Sequence, residues 1–221
     1  MRQFARYTLI AALTLGSALM AHAEEDDLVF RVDGETLDYD TTRGDEAGGT
    51  DDIEVAHVDR LLALLRQNPE IRVLDLNSTG GSLYAGREMA RIVLDFDLDT
   101  LVSGECFSSC VRIFLAGAGR RMLLGAKIGF HQTTWSPGSV EEYYNANRDS
   151  DGWGTPFDFA SWVYEDTQTE VHDDLIYMID RGVDAEFAVR TKGVRADDSW
   201  YPSRLELTRA GVLRERLRDA E

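Results

Sequence analysis

From Ile53 to His131 the chain alternates stretches of helical period with short apolar runs of strand length, and glycines mark several of the handovers. Ile53 to Gln67 places Ile53, Val58, Leu61, Leu62 and Leu65 at helical spacing, and Asn68-Pro69 ends it. Ile71 to Leu76 has the composition of a buried parallel strand. Asn77 to Gly81 is a turn, and Ser82 to Asp95 is a second amphipathic helix. Thr100 to Ser103 is a strand, Phe107 to Leu115 a buried helix closed by the glycines of Ala116 to Arg120, and Lys127 to His131 another strand. Upstream, Leu28 to Val32 reads as a strand before an Asp33-Gly34 turn, and Thr41 to Asp52 as a loop. Such alternation restricts the chain to an α/β fold, a parallel sheet with packed helices.

After His131 the pattern loosens. Thr133 to Pro156 reads as a long surface excursion. Phe157 to Asp180 is the longest helix, with Phe159, Trp162, Val163, Val171, Leu175, Met178 and Ile179 on one face, closed by Arg181-Gly182. Asp184 can cap a short helix to Arg190, and a last helix starts at Ser203.

Residues 1–23 have the three parts of a secretory signal peptide. Arg2 and Arg6 form the charged start, Tyr7 to Met20 the apolar centre, and Ala21-His22-Ala23 the cleavage site. The remaining chain, Glu24 to Glu221, fits a single domain. No later run is long and apolar enough to span a bilayer, so a stable membrane span is not expected after cleavage. Net charge is −17, from 40 acidic and 23 basic residues, and only Lys127 and Lys192 are lysines. A nucleic-acid partner is not expected, because binding one requires a basic footprint.

Two small-residue turns sit where strands hand over to helices. In Asn77-Ser78-Thr79-Gly80-Gly81-Ser82, two adjacent glycines free the backbone for unusual dihedrals, and exposed N–H groups there can hold an oxyanion. In Gly104-Glu105-Cys106-Phe107-Ser108-Ser109-Cys110, a serine stands at the start of a buried helix, where the N–H groups and the dipole stabilise negative charge. Each turn is also what an ordinary helix cap looks like. His131 ends the following strand, and a serine hydroxyl needs such a base to become a nucleophile. His57 and His172 lie among charged residues on predicted helices and read as surface residues. Cys106 and Cys110 flank Ser108 at two residues on either side. The pair is expected to form a disulfide that braces the serine turn, with two buried thiols or a zinc site shared with His131 as the alternatives.

In this order and spacing the motifs resemble the Clp protease proteolytic subunit. That family has an N-S-P-G-G turn, a nucleophile serine four residues after a glycine, and a histidine–glutamine pair about twenty-five residues later. The chain reads Asn77-Ser78-Thr79-Gly80-Gly81, then Gly104 to Ser108, then His131-Gln132, preceded by a matching Asn68-Pro69-Glu70. Secreted bacterial relatives with a C-x-S-x-C cluster are similar too. The resemblance covers residues 68–132 well and the last third only loosely. It implies a Clp–crotonase-like sheet of ββα units with packed helices. It also implies Ser108 as nucleophile, His131 as base, and backbone donors at Gly80, Gly81 and Ser109. Thr79 replaces the family's proline, which loosens the turn, and Phe107 replaces a small residue. The family's acid would fall at Thr191, so the third member passes to Asp197, with Asp198 and Asp180 as alternatives.

The activity so implied is a secreted, periplasmic, ATP-independent serine endopeptidase acting on a peptide or unfolded protein, with no cofactor and no metal. Clp-type subunits form rings, so a homo-oligomer is in view, although the acidic excursion occupies the place of ring contacts. The rivals are an inactive binding protein on the same fold, a signal peptide peptidase A-like serine–lysine enzyme using Lys127 or Lys192, and a crotonase-like acyl-CoA enzyme.

Overall fold

A computed structural model describes residues 28–46 and 48–214, so the expected signal peptide lies outside the described residues. The chain divides into two compact units. Of the described residues, the first comprises those up to Ile128 together with Leu213 and Arg214, and the second runs from Gly129 to Val212.

The first unit is built on a mixed sheet. Its strands are β1 (Phe30–Asp33), β2 (Thr36–Asp40), β3 (Val73–Ser78), β4 (Asp99–Phe107) and β5 (Arg120–Met122), hydrogen-bonded in that order, with β6 (Lys127–Gly129) also pairing with β4. β1 and β2 form an antiparallel hairpin, and β2, β3, β4 and β5 run parallel. The architecture is therefore the expected α/β one, a mainly parallel sheet with packed helices, opened by one antiparallel hairpin.

Side chains alternate across the sheet. Leu37, Tyr39, Leu74, Leu76, Thr100, Val102 and Cys106 are fully buried on one face. Against that face packs α4 (Ser109–Ala116); α3 (Leu83–Asp95) packs on α4, and α2 (Ala56–Gln67) packs on α3 and meets the sheet at Tyr39 through His57, while α1 (Thr42–Glu46) is a short turn after β2. Ser82 caps α3 by accepting the Ala85 N–H, and Ala85, Met89, Ala90, Ile92 and Val93 form its buried face. α4 is buried nearly all round, as a helix inside a core must be. Its C-terminal carbonyl at Leu115 takes a hydrogen bond from the buried Arg120 guanidinium at 3.0 Å, which suits a cation at the negative end of a helix.

His57 is not a surface residue. It is buried on α2 with Leu61, Leu64 and Leu65, and its Nδ1 lies 2.8 Å from the Tyr39 hydroxyl and accepts the Glu54 N–H. The helix starts at Ala56, so Ile53 does not belong to it, and the apolar stripe runs through His57 rather than through Val58 and Leu62.

The opposite sheet face carries Asp38, Asp40, Asp75, Asn77 and Ser103. Arg31 and Arg43 neutralise Asp38. Asp75 is half-buried, and its Oδ1 has no hydrogen-bond partner. Burial, with the Asp38 charge on the neighbouring strand, raises its pKa above the usual carboxylate value. A raised carboxyl pKa means that the ionised form is disfavoured in the folded chain, so the cost is present at neutral pH and fades as pH falls into the acid range. Asp75→Asn is expected to raise the melting midpoint at pH 7 by roughly 2–4 °C, the shift that about 1 kcal/mol gives in a chain of this length. Its advantage over wild type should shrink on acidification in paired thermal melts.

The second unit holds α5 (Pro137–Asn147), α6 (Pro156–Asp180), α7 (Ala185–Thr191) and α8 (Arg204–Arg209). α6 starts on a capping box between Thr155 and Asp158, and α8 on one between Ser203 and Glu206. Only Phe159 and Met178 of the expected α6 face are buried, and Val171 and Ile179 are exposed. Phe159 packs in an aromatic cluster with Tyr143, Tyr144, Trp153 and Trp162. Among the described residues no helix is long and apolar enough to cross a membrane.

Candidate active site

β4 runs directly into α4 through Ser108, with no loop between them. That serine has φ 57° and ψ −126°, and among the described residues only Asp97 shares a positive φ without being glycine. Such a backbone costs on the order of 1–3 kcal/mol and persists only where surrounding contacts impose it. In α/β-hydrolases a strained strand-to-helix turn is the setting of a nucleophile elbow, which exposes a serine hydroxyl. Ser108 is partly exposed, while Cys106, Ser109 and Cys110 around it are buried.

Three contacts impose the turn. Cys106 and Cys110 form a disulfide, with Cα atoms 5.3 Å apart, closing a covalent ring over Phe107, Ser108 and Ser109. Both sulfurs are consumed, which disposes of the thiol and zinc alternatives. The carbonyl of Ser108 accepts the Val111 N–H at 3.1 Å and starts the helix. The glycine turn then presses on the serine from β3. A Cβ built on Gly80 would lie 2.6 Å from Ser108 Cβ and 2.9 Å from the Phe107 carbonyl oxygen. Gly80 has φ 108°, a conformation side chains rarely adopt, so it is glycine for two separate reasons.

The glycine turn is itself fastened. Ile53 donates to Gly80 O at 2.6 Å, and Ser82 donates to Ile53 O at 2.8 Å, making a parallel bridge between Ile53 and Gly81. The Thr79 hydroxyl donates to Asp51 Oδ2 at 3.1 Å. The Thr79 side chain thus ties the turn to the Asp51 segment. Asp52, beside this turn, has its carboxyl pKa raised by burial and by the neighbouring Asp51 and Glu54 charges.

The expected oxyanion donors fare differently. The Gly80 N–H points inward to the buried Ser78 hydroxyl at 3.2 Å, and Thr41 donates to the same hydroxyl. Gly81 is exposed, and its bridge to Ile53 uses the N–H groups of Ile53 and Ser82 rather than its own. Ser109 occupies the first position of α4, where a helix has no internal use for the N–H. Its hydroxyl is buried and has no hydrogen-bond partner.

In the second unit His131 is partly exposed, and the chain on both sides of it is pinned. Phe130 and Trp200 exchange both backbone hydrogen bonds, and Gln132 N–H donates to Val194 O at 2.8 Å. The segment from Val194 to Trp200 is therefore tied to both neighbours of His131, and it carries Asp197 and Asp198. Asp197 is exposed, and Arg195 bonds both of its oxygens, at 2.9 and 3.4 Å. That hydrogen bonding lowers its pKa. Thr191 is buried and donates to the Ala188 carbonyl. Asp180 ends α6. His172 is exposed on α6. The two lysines are both ion-paired, Lys127 with Glu105 and Lys192 with Asp174.

No family model matches this sequence, and no curated protein does. Among solved structures, the chain is similar to a mutant ClpP1 from Listeria monocytogenes, at 15% identity and a TM-score of 0.47, over 73% of this chain and 84% of that one.

Proposed function

We propose that the protein is a serine peptidase that forms an acyl-enzyme on Ser108. The observation that carries this reading is the backbone of Ser108, a non-glycine residue held at positive φ between a strand and a buried helix, against a glycine turn that leaves no room for a side chain. A serine needed only as a helix cap would have no reason for that strain.

In the proposed reaction Ser108 Oγ attacks a peptide carbonyl as His131 takes its proton. The carbonyl oxygen becomes an oxyanion, which the N–H groups of Ser109 and Gly81 stabilise. The intermediate collapses, His131 returns the proton to the departing amine, and water repeats the sequence on the ester. The ion pairs of Lys127 and Lys192 support histidine over lysine as the base, because each ammonium is already engaged by a carboxylate. The backbone pins around His131 support an acid from the Val194–Trp200 segment as its orienting partner, with Asp197 first by chain order. The disulfide supports residence in an oxidising compartment outside the cytoplasm, which cell fractionation reads directly.

Reaction with a fluorophosphonate, followed by peptide mass spectrometry, tests the assignment. The adduct is expected on Ser108, and an unmodified Ser108 after prolonged exposure favours a binding protein on the same scaffold. His131→Ala is expected to slow adduct formation by about 10³-fold, the scale of triad deletions, and His172→Ala to leave it unchanged. Asn substitutions at Asp180, Asp197 and Asp198 rank the third member by the same rate. If His172→Ala inflicts the loss and His131→Ala does not, the base has been misassigned.

A further inference from the structure

β3 and β4 keep step as far as Leu76 opposite Val102, and they meet again at Ser78 opposite Cys106. Between those pairs β3 has Asn77 alone, whereas β4 has Ser103, Gly104 and Glu105. Two extra residues must be absorbed immediately before the elbow. A bulge of this kind leaves ladder groups without partners and bends the strand that carries it.

The side chain of Asn77 fills the gap. Its Oδ1 accepts the Glu105 N–H at 2.8 Å, and its Nδ2 donates to Asp40 Oδ1 at 3.0 Å. Gly104 makes room for it, since a Cβ there would lie 2.3 Å from Asn77 Oδ1 and 2.7 Å from its Cγ. Asp40 is fixed in turn. It accepts the Thr42 N–H and hydroxyl, and Arg43 stands 3.5 Å from its other oxygen. One carboxamide therefore spans from β2 across β3 to the bulge of β4. The glycine four residues before Ser108 is explained by the same contact.

We infer that Asn77, held by Asp40, is a positioning residue for Ser108. It sets where β4 leaves the regular ladder and so where the chain enters the elbow three residues later. The inference rests on Ser108 being the nucleophile, and it concerns a residue that touches neither substrate nor serine. Its signature is polarity. Asp at position 77 would keep the acceptor for Glu105 but turn a second carboxylate towards Asp40. Asn at position 40 would then remove one of the two facing charges. Its NH2 can donate to the carboxylate at position 77 only by giving up the Thr42 N–H, which the same Asp40 oxygen accepts.

The test is a double-mutant cycle on the full-length, oxidised chain, read as the saturable rate of fluorophosphonate addition to Ser108, well below each variant's melting midpoint. Asn77→Asp is expected to slow the limiting rate about tenfold or more, the effect of a displaced reacting group, with little change in the half-saturating probe concentration. Combining Asp40→Asn with Asn77→Asp should recover part of the lost rate, because it removes one of the two facing carboxylates, a coupling expected of groups in contact. A merely structural asparagine would lower the melting midpoint and leave the limiting rate alone. A wild-type rate in Asn77→Asp overturns the inference, and so does a double variant no faster than that single variant. Should wild type take no label, the nucleophile reading fails separately. Amide exchange at Glu105 then decides the clamp, with faster exchange in Asn77→Ala supporting it and unchanged exchange overturning it.

Discussion

Ser108→Ala is expected to abolish labelling by a fluorophosphonate, while Ser109→Ala labels at close to the wild-type rate. Alanine keeps the Cβ and therefore the strained backbone, so the substitution removes the hydroxyl and little else. Loss of a nucleophile acting with its base costs on the order of 10⁶ in rate, which for a covalent probe reads as no adduct. Ser109 is the matched control because its hydroxyl is buried without a partner, and deleting an unsatisfied polar group is close to neutral. Its N–H, the group the proposed mechanism uses, survives the change. A third variant separates strain from chemistry. Ser108→Gly should be inactive yet more stable than Ser108→Ala by about 1 kcal/mol, since glycine meets no penalty at φ 57°. Equal midpoints for those two variants in thermal melts would remove the strained elbow, and an adduct on Ser108→Ala would remove the nucleophile.

Gly80→Ala is the second large effect, and it arises without touching any group that reacts. The new methyl would stand 2.6 Å from Ser108 Cβ and 2.9 Å from Phe107 O, and neither neighbour is the free end of a flexible side chain. Something in the elbow has to shift, and a displacement of about 1 Å costs on the order of 10² in rate. The expected outcome is labelling slowed by about that factor, together with a lowered melting midpoint. Gly125→Ala isolates the backbone contribution, because Gly125 has φ 86° but open space around it. That variant should lose some stability and label normally. If both glycine variants label alike, the close approach of the glycine turn to Ser108 is not what shapes the elbow.

The parts of the fold that could be read from the sequence are those where local chemistry and burial agree. α3 was legible because Ser82 caps it and its apolar spacing is regular, and α7 because Asp184 accepts the Phe187 N–H. β2 was missed because three of its five residues, Thr36, Asp38 and Asp40, face the polar side of the sheet and leave only Leu37 and Tyr39 as an apolar signal. β5, with two arginines in three residues, carries no strand signature, since one of those arginines is buried to cap a helix. α5 buries no side chain of its own, so no periodicity marks it. Around Ser108, the ordered motifs placed the serine at a strand-to-helix handover between two cysteines, and that local arrangement is what the structure has. What could not be read was which groups meet. The Ser78 hydroxyl capturing the Gly80 N–H, Asp51 holding Thr79, and Asn77 filling the bulge are contacts between segments roughly 30 residues apart or made by a turn's own curl, and no spacing rule announces them.

The bulge in β4 also governs how this stretch can change length. β3 advances two residues while β4 advances four, both even numbers, so Cys106 falls on the same core face as Val102. Side chains alternate with a period of two. Inserting or deleting one residue between Val102 and Cys106 would turn Cys106 out of the core and rotate the serine to the wrong side of the sheet. Removing a pair would preserve the faces and erase the slack in which Asn77 sits. Length variation ahead of the serine is thus quantised in steps of two, and only the present step leaves both a core-facing disulfide and a place for the carboxamide.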